Sequence, residues 1–279
     1  MKLKIKPKKI AFQGQPGANS DLACQAVFPG IETLPCASFE DAFAAVQSGK
    51  ADLAMIAIEN NLAGRVADVH HLLPGSGLFI VGEHYQPIRF HLMAAKGASL
   101  KTVKRVYSHV MALPQCRKVI KDLKLKQIVH EDTAGAAKKM AEDKDPTQAA
   151  LAPELAAKIY GLTILKKDVQ DRDDNITRFI ILSRKAEIPA KGQKVVTGFV
   201  FGVRHLPAAL YKALGGFATN GVNLTKLESY VGPGFKAAEF YCEVEGHPAD
   251  RAMELAFEEL GFYASSITIL GTFPRKSVK

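Results

Sequence analysis

Apolar residues follow two alternating patterns over the first 185 positions of the chain. Short runs such as residues 53–58 are wholly apolar, which is typical of strands buried on both faces. Longer stretches such as Phe39–Gln47 place apolar residues three and four positions apart, which is typical of a helix with one buried face. Strands and helices that alternate in this way predict an α/β fold.

A different order of elements follows residues 186–194, where Pro189 and Gly192 predict a linker. The strands predicted beyond it are residues 197–203, 224–231, 236–245 and 263–273, with a turn at residues 232–234. The two predicted helices are residues 207–219 and 250–260. This βαββαβ order predicts a ferredoxin-like sandwich.

The composition is that of an ordinary globular protein, with 47% apolar residues and a formal net charge of +9. A basic chain can bind nucleic acid or an anionic small molecule. Beyond an N-terminal group at residues 2–9, however, the lysines are scattered, and no aromatic residues interleave with them. The net charge is the one feature that supports nucleic-acid binding, and because no binding motif accompanies it we do not expect that function.

The four cysteines lie far apart and without metal-site spacing, so they predict reduced thiols and no bound metal. Nothing in the sequence indicates an organic cofactor either. No segment reaches the roughly 20 apolar residues that span a bilayer. The N-terminus also lacks the continuous apolar stretch of a signal peptide. These features predict a cytoplasmic protein that does not associate with membranes.

Candidate chemistry lies on the strand predicted at residues 176–182. Thr177 offers a hydroxyl group, and Arg178 offers a permanent charge with a bidentate fork. Side chains alternate along a strand, so the two should point to opposite faces unless the strand begins at Thr177. From the residues alone, Thr177 is equally a favourable strand residue, and Arg178 a solvated or salt-bridged edge residue.

Polar residues also follow other predicted strands, at the sheet edge where α/β folds bind ligands. The glycine-rich residues 14–20 precede a helix, which either binds an anion at its N-terminus or is simply capped by Ser20. Asn60 and Asn61 either contact a ligand or form an Asx turn before the next helix.

Ser108 and His109 end a third strand, before a helix predicted at residues 111–123 that contains Cys116. A serine, a histidine and a cysteine suggest a nucleophile, but residues so close in sequence rarely form a triad. We therefore expect Ser108 to be a helix cap and ligand donor, and Cys116 to be a buried thiol.

Together these segments resemble the motifs of prephenate dehydratases. Residues 175–179, Asn-Ile-Thr-Arg-Phe, resemble the signature Asn-x-Thr-Arg-Phe, whose threonine is the residue most closely tied to catalysis. The other matching positions are Ile58, Glu59, Asn60, Gly64 and Val66, then Ser108, His109, Ala112, Leu113, Gln115 and Cys116, and then Asp132, Thr133, Ala134, Ala136 and Ala137. The departures are Ala57 and Val110 in place of prolines, and Asn61 in place of a serine.

The resemblance implies conversion of prephenate to phenylpyruvate, with loss of water and carbon dioxide, in phenylalanine synthesis. It assigns catalysis to Thr177, and substrate binding to Asn60, Asn61, Gly64, Ser108, His109, Thr133, Arg178 and Phe179. It also implies a two-lobed, periplasmic-binding-protein-like catalytic domain at residues 1–185, with the second lobe at about residues 86–167. One alternative is arogenate dehydratase, and another is a non-catalytic amino-acid sensor, which has no need to keep the signature threonine.

Residues 195–279 resemble an ACT domain, the regulatory domain of this family. The matching segments are residues 207–210 and 223–229, with Ala208 at a glycine position and Tyr230-Val231 in place of Arg-Pro. The resemblance implies that L-phenylalanine binds where two such domains meet, and therefore a homodimer or homotetramer. The residues assigned to this allosteric site are Ala208, Ala209, Leu210, Asn223, Leu224, Thr225, Glu228 and Ser229.

Overall fold

The structure is a computed structural model that describes residues 6–231 and 238–276. It confirms an α/β fold with two lobes and a C-terminal ferredoxin-like arrangement. The strands are β1 (Lys9–Gln13), β2 (Glu32–Cys36), β3 (Leu53–Asn60), β4 (Gly64–Arg65), β5 (Phe79–Pro87), β6 (His91–Ala94), β7 (Arg105–His109), β8 (Lys126–His130), β9 (Gln148–Ala152), β10 (Thr163–Lys166), β11 (Ile176–Ser183), β12 (Val195–Val203), β13 (Leu224–Val231), β14 (Ala238–Glu245) and β15 (Ala264–Pro274).

The helices are short, as expected for segments that pack one face against a sheet. They are α1 (Asn19–Val27), α2 (Phe39–Gln47), α3 (Ala67–Leu72), α4 (Arg117–Asp122), α5 (Thr133–Asp143), α6 (Glu154–Tyr160), α7 (Ala209–Thr219) and α8 (Arg251–Tyr263), with a 3₁₀ helix at Leu113–Gln115. No helix in the described ranges is long and apolar enough to cross a membrane.

Contacts between residues group the chain into two compact units. The first, here called the cavity unit, contains residues 7–66 and 84–179. The second, here called the C-terminal unit, contains residues 67–83 and residue 180 onwards. The predicted boundaries, with a catalytic domain at 1–185, a linker at 186–194 and a regulatory domain at 195–279, stay a prediction. The grouping adds a segment that they did not anticipate, residues 67–83, whose contacts lie with the C-terminal residues.

Two sheets build the cavity unit, one in each lobe. The first has the strand order β2-β1-β3-β11-β5, so β11 returns late in the chain to lie beside β3. The second has the order β10-β6-β9-β7-β8, in which β7 is parallel to β8 and β9. His109 and His130 are register partners at the carboxyl ends of β7 and β8. The strand ends that carry the sequence motifs therefore lie together within each lobe.

Two local predictions in this unit were wrong, and both concern helix starts. The single helix predicted at residues 111–123 is a 3₁₀ helix and then α4, because the carboxylate of Asp171 caps α4. That carboxylate accepts hydrogen bonds from the backbone N–H groups of Arg117 (2.9 Å) and Lys118 (3.0 Å). Helix α1 begins after Ala18, which has an extended backbone, so Ser20 lies inside the helix and does not cap it.

The C-terminal unit contains one antiparallel sheet with the strand order β13-β14-β12-β15. Helices α7 and α8 pack on it over a core rich in aromatic rings, in which Phe199 stacks on Phe217 at 5.6 Å between centroids. This order is the ferredoxin-like one that the sequence predicts. The predicted turn at residues 232–234, and the first residues of the strand predicted at 236–245, lie outside the described residues.

Residues 67–83 are fixed to this sheet by side chains and backbone. The His70 ring on α3 is buried and meets the Tyr241 ring edge to face, with centroids 5.2 Å apart. The buried Glu83 carboxylate accepts a hydrogen bond of 2.7 Å from the backbone N–H of Lys276. Gly271 allows the backbone of Ile80 to lie so near that a Cβ at position 271 would collide with it. The C-terminal unit is thus built from two separate stretches of sequence.

Candidate active site

Residues from both lobes of the cavity unit line an open cavity of about 270 Å³. Strand ends and helix starts from both lobes line it, as expected for a ligand site in an α/β fold. The lining residues are Gln13, Gly14, Ala18, Asn19, Ser20, Ala57, Asn60, Ala63, Val66, Ile88, Phe90, His109, Met111, Ala112, Gln115, Glu131, Asp132, Thr133, Asn175, Thr177 and Phe179. Five of the nine residues predicted to act on substrate are among them: Thr177, Asn60, His109, Thr133 and Phe179.

The Thr177 hydroxyl oxygen accepts a hydrogen bond from a neighbouring side chain. The side-chain N–H of Asn60 donates to the Thr177 Oγ1 atom over 2.9 Å. Because that oxygen already accepts a hydrogen bond, the hydroxyl proton is left to be donated elsewhere. Thr177 lines the cavity, so a ligand oxygen there can receive this proton. Thr177 therefore keeps a proton that it can donate to a group in the cavity.

Asn60 is itself oriented by an Asx turn at the end of β3. Its Oδ1 atom accepts from the backbone N–H groups of Leu62 (2.9 Å) and Ala63 (2.8 Å), which fixes which end of the amide is the donor. The donor end reaches the Oδ1 atom of Asn175 at 2.7 Å as well as Thr177. The two predictions for Asn60, an Asx turn and a ligand contact, are therefore compatible. The amide oxygen forms the turn, and the amide nitrogen donates to groups beside the cavity.

The network continues across the cavity unit to the second lobe. The Asn175 side-chain N–H donates to the Oε1 atom of Gln115, which also lines the cavity. Neither residue was assigned a role from the sequence, although both stand in motifs that match the family. This hydrogen bond joins the residue before β11, in the first lobe, to the 3₁₀ helix of the second lobe. Asn175 and Gln115 are site residues that sequence reasoning missed.

His109 presents a neutral imidazole to the cavity. Burial lowers its pKa below the ordinary value, although the nearby Asp132 carboxylate acts in the opposite direction. Its Nδ1 atom accepts a hydrogen bond of 3.2 Å from the backbone N–H of Met111. Because Nδ1 is an acceptor, the neutral ring carries its proton on Nε2. His109 is therefore positioned as a donor, on the opposite lobe from Thr177.

Two helix N-termini open on the same cavity. Helix α1 has nine residues and no side chain that caps it, so its first backbone N–H groups, near Asn19 and Ser20, are not used by a cap. Helix α5 begins at Thr133 and is capped by Asp132, whose Oδ1 atom accepts from the Gly135 N–H at 2.6 Å. An uncapped helix start of this kind favours a carboxylate. The first turn of α1 also contains the buried carboxylate of Asp21, which accepts from the Gly17 N–H at 2.9 Å, so anion binding by residues 14–20 stays a prediction.

Arg178 lies away from the cavity, although the sequence predicts it as a substrate ligand. Its side chain is 7% exposed and pairs with Glu59, with Nη1 and Oε1 3.2 Å apart. The guanidinium also lies over the Tyr85 ring, 5.9 Å from its centroid. Alternation along β11 explains this position, because Thr177 and Arg178 are neighbours and point to opposite faces. The structure supports the alternative reading of Arg178 as a salt-bridged residue that stabilises the strand.

Three further residues predicted to bind substrate are outside the cavity lining. Ser108 is buried, and its hydroxyl donates to the Leu151 carbonyl oxygen at 2.7 Å, so it joins β7 to β9 and caps no helix. Asn61 bonds the loop before β11, because its side chain donates to the Asp174 carbonyl (2.6 Å) and accepts from the Ile176 N–H (2.8 Å). Gly64 has a φ of +86° in the turn into β4, a backbone role.

The described residues contain no group of three or more His, Cys, Asp or Glu side chains placed to hold a metal ion. Cys116 is buried, and desolvation raises the pKa of its thiol to about 12. A thiol with that pKa is protonated at neutral pH and is a poor nucleophile. The polar groups that face the cavity are therefore hydroxyls, amides, an imidazole and two carboxyl side chains.

The residues predicted for the allosteric site lie at the start of α7 and along the edge strand β13. Ala208 precedes α7 with φ 58° and ψ 24°, in the left-handed region, followed by Ala209 and Leu210. On β13, Thr225 and Ser229 are exposed, whereas Leu224 and Glu228 are partly buried on the alternate face. The Asn223 carbonyl oxygen accepts from the Glu245 N–H at 2.9 Å. These residues divide between two faces of the sheet edge and do not all lie at one end of the C-terminal unit. Leu224 pairs with Val244 on β14, level with Thr197 near the start of β12, whereas Ala208 follows the end of that strand.

Comparison with known proteins identifies a family model and relatives that match most of the chain. The family model described as prephenate dehydratase matches residues 10–187. A bifunctional N-acyl-homoserine lactone acylase/prephenate dehydratase from Komagataeibacter europaeus is 48% identical over 267 residues, which cover 95% of each chain. An arogenate dehydratase/prephenate dehydratase from Arabidopsis thaliana is 38% identical, over 95% of this chain and 72% of that protein.

A solved structure shares the fold along nearly the whole chain. It is the prephenate dehydratase of Arthrobacter aurescens in complex with L-Phe, which is 31% identical and has a TM-score of 0.87. The match covers 96% of this chain and 90% of that one. The family model, the relatives and the shared fold lead to one conclusion: the chain belongs to the prephenate dehydratase family and is an enzyme of the lyase class.

Proposed function

We propose that the enzyme converts prephenate to phenylpyruvate, with Thr177 as the donor to the departing hydroxyl group. The observation that supports this proposal is the hydrogen bond from Asn60 to Thr177 Oγ1, which leaves the hydroxyl proton of this cavity-lining residue available for donation. In the reaction the ring loses its hydroxyl as water and its carboxylate as carbon dioxide. The electron pair of the broken C–C bond enters the ring, which becomes aromatic.

The protein has to supply little besides orientation and one proton, because aromatisation drives the reaction. An aliphatic hydroxyl is a weak acid, so Thr177 acts as charge builds on the leaving oxygen, either by concerted transfer or by a strengthening hydrogen bond. A proton that Thr177 gives up is replaced from solvent, and the sum consumes one proton per turnover. Donation by Asn60 makes the threonine oxygen better able to carry developing negative charge.

Substrate carboxylates require donors, and the cavity offers three kinds. The uncapped start of α1 supplies backbone N–H groups near Ser20. His109 supplies its Nε2–H, and Thr133 a hydroxyl at the start of α5. Donors on both lobes can hold the two carboxylates of prephenate apart, so that the ring carboxylate is aligned to leave. Phe179 and Phe90 give the ring an apolar surface.

Turnover of prephenate by the purified enzyme tests this proposal. Phenylpyruvate is followed by the ultraviolet absorbance of its enolate in alkali, and arogenate is assayed in parallel by the appearance of phenylalanine. The proposal fails if neither substrate is consumed by enzyme that gives a single cooperative thermal transition.

We further propose that L-phenylalanine binds to the C-terminal unit and thereby inhibits the enzyme. We also propose that the enzyme is a homodimer or homotetramer located in the cytoplasm. The Arthrobacter aurescens relative was solved in complex with L-Phe, and the residues of this unit that resemble effector motifs lie at the start of α7 and along the edge strand β13. The effector must bind the inhibited form more tightly, since it shifts the equilibrium only by that difference. Calorimetric titration of the full-length enzyme and of Asn223→Ala, with light scattering for the mass, tests both parts.

An N-acyl-homoserine lactone acylase activity is a second candidate. It is favoured by the name of the relative that is 48% identical over 95% of this chain, a bifunctional N-acyl-homoserine lactone acylase/prephenate dehydratase. Amide hydrolysis needs a nucleophile and a base, and the cavity holds the hydroxyls of Ser20, Thr133 and Thr177 with the neutral imidazole of His109. Release of homoserine lactone from an acylated substrate, measured by mass spectrometry, tests it. Loss of this activity in His109→Gln would place it in the same cavity.

A further inference from the structure

The cavity presents negatively charged groups as well as the hydrogen-bond donors that suit a carboxylate. Two acidic residues, Glu131 and Asp132, line it. None of its lining residues in the described part of the chain is lysine or arginine. His109 is kept neutral by burial, so it adds no positive charge near pH 7. Prephenate brings two carboxylates into this surrounding, where like charges repel most strongly because the site is partly desolvated.

The amino analogue, arogenate, carries the same ring with an ammonium in place of the keto group. An ammonium next to a carboxylate gains a charge-assisted hydrogen bond, which is among the stronger polar contacts in proteins. The α-carboxylate of the same side chain suits a helix N-terminus. The side chain of arogenate can therefore bind both an acidic residue, through its ammonium, and a hydrogen-bond donor, through its carboxylate. The keto-acid side chain of prephenate can bind only the donor.

Asp132 is the better placed of the two acidic residues because its orientation is fixed. Its Oδ1 atom accepts from the Gly135 N–H at 2.6 Å, which caps α5 and holds the carboxylate at the helix start. A Cβ at position 135 would lie 2.7 Å from the other oxygen, Oδ2, so glycine leaves the room that this carboxylate occupies. One oxygen thus serves the helix, and the second keeps lone pairs for a ligand. Glu131, in contrast, is exposed.

We propose that Asp132 is a specificity-determining residue, whose carboxylate binds the ammonium of arogenate and makes the amino analogue the preferred substrate. This inference rests on the proposed dehydratase function, since it concerns which substrate the same cavity selects. A relative named arogenate dehydratase/prephenate dehydratase aligns with 95% of this chain at 38% identity, so both substrates occur in the names of related proteins.

The test compares kcat/KM for arogenate and prephenate in the wild type and in Asp132→Asn. Asparagine is as good an N-cap as aspartate and has the same shape, so this variant removes the charge and keeps α5 capped. We expect the ratio of kcat/KM for arogenate to that for prephenate to fall by about tenfold or more, the usual scale of a hydrogen bond between charged groups. The prephenate value should rise, because a repelling charge is gone.

Asp132→Ser, a second neutral cap, gives an independent measurement if asparagine perturbs folding. Glu131→Gln is the matched control, because it removes the same charge one residue away, and it should change the ratio by less than Asp132→Asn does. A wild type that prefers prephenate, or an unchanged ratio in both neutral-cap variants, overturns the inference. Failure of the wild type to consume either substrate would instead overturn the proposed function.

Discussion

Helices α1 and α7 both begin after an alanine, and each start belongs to a predicted binding site, the cavity for α1 and the effector site for α7. Ala18 precedes α1 with φ −67° and ψ 167°, an extended backbone that any residue adopts. Ala208 precedes α7 with φ 58° and ψ 24°, a left-handed backbone that favours glycine. Neither alanine offers a side-chain oxygen as a cap. The first helix start is thus open without strain, whereas the second carries a methyl group where the related motif has glycine.

This difference indicates that the two sites tolerate sequence change unequally. In the cavity, Ala57 and Asn61 depart from the family pattern, yet Asn60 still forms its turn and still holds Thr177. At α7, a single departure changes the backbone energy and the space before the helix. We therefore expect the enzyme to keep full catalytic activity despite the departures in the cavity, and to bind its effector more weakly than a chain with glycine at position 208 would.

The largest expected effect tests the chemistry on the cavity side. Thr177→Ala should fold normally and lose kcat by roughly 10²–10⁴, the usual range for a lost proton donor. Thr177→Ser, which keeps the hydroxyl, should retain most of the activity. Steady-state kinetics at saturating substrate measure both. An alanine variant with more than about a third of wild-type kcat would remove Thr177 from the mechanism.

A side-chain cap added at the start of α1 should occupy the backbone N–H groups that are free of a side-chain cap in the wild type. In Ala18→Ser the new hydroxyl accepts the N–H groups that substrate would otherwise use, as a serine N-cap does. We expect KM to rise by about tenfold, the scale of one lost hydrogen bond to a charged group, with kcat less affected. Ala18→Gly leaves the N–H groups uncapped and is the control. If the serine and glycine variants have equal KM, α1 does not bind the substrate carboxylate.

At α7 the opposite change should relieve strain. Ala208→Gly restores the residue that the left-handed conformation favours, and we expect it to raise the free energy of unfolding by about 1 kcal/mol. It should also tighten phenylalanine binding, because the methyl group leaves the start of the helix. Chemical denaturation and calorimetric titration measure the two effects. An alanine that is as stable as glycine would show that position 208 is unstrained in solution.

The smallest effect is a pH dependence located in the cavity unit. Burial lowers the pKa of His109, so the unfolded chain binds a proton at a higher pH than the folded one. The stability that neutral His109 contributes is therefore complete above the ordinary histidine pKa of about 6.5 and declines as the pH falls below it. Burial lowers the pKa of His91 in the same direction. His109→Gln should flatten part of this decline in urea denaturation between pH 7 and pH 5, and an unchanged slope would contradict it.

Local patterns were enough to predict elements whose ends are set by nearby residues. Helix α2 has the predicted bounds because Ser38, next to it in sequence, accepts from the Asp41 N–H. The start of α4 could not be predicted, because its cap is Asp171, 54 residues away. At the site, motif resemblance identified Thr177 and Asn60, and alternation predicted that Arg178 faces away from Thr177. Its pairing with Glu59 needed the fold, since that strand is 119 residues distant.

The segment of residues 67–83 also bears on how this enzyme can be divided. Val66 lines the cavity and Ala67 begins α3, so the chain passes from the active-site loop into the C-terminal unit without an intervening residue. A protein cut at the predicted linker would keep α3 but lose Tyr241 and Gly271, against which His70 and Ile80 are packed. Its catalytic part would then expose surface that is buried in the intact chain. We therefore expect that residues 1–190 alone would be less stable than the intact chain. A shortened or fused protein that ends at residue 190 would need other residues to cover His70 and Ile80.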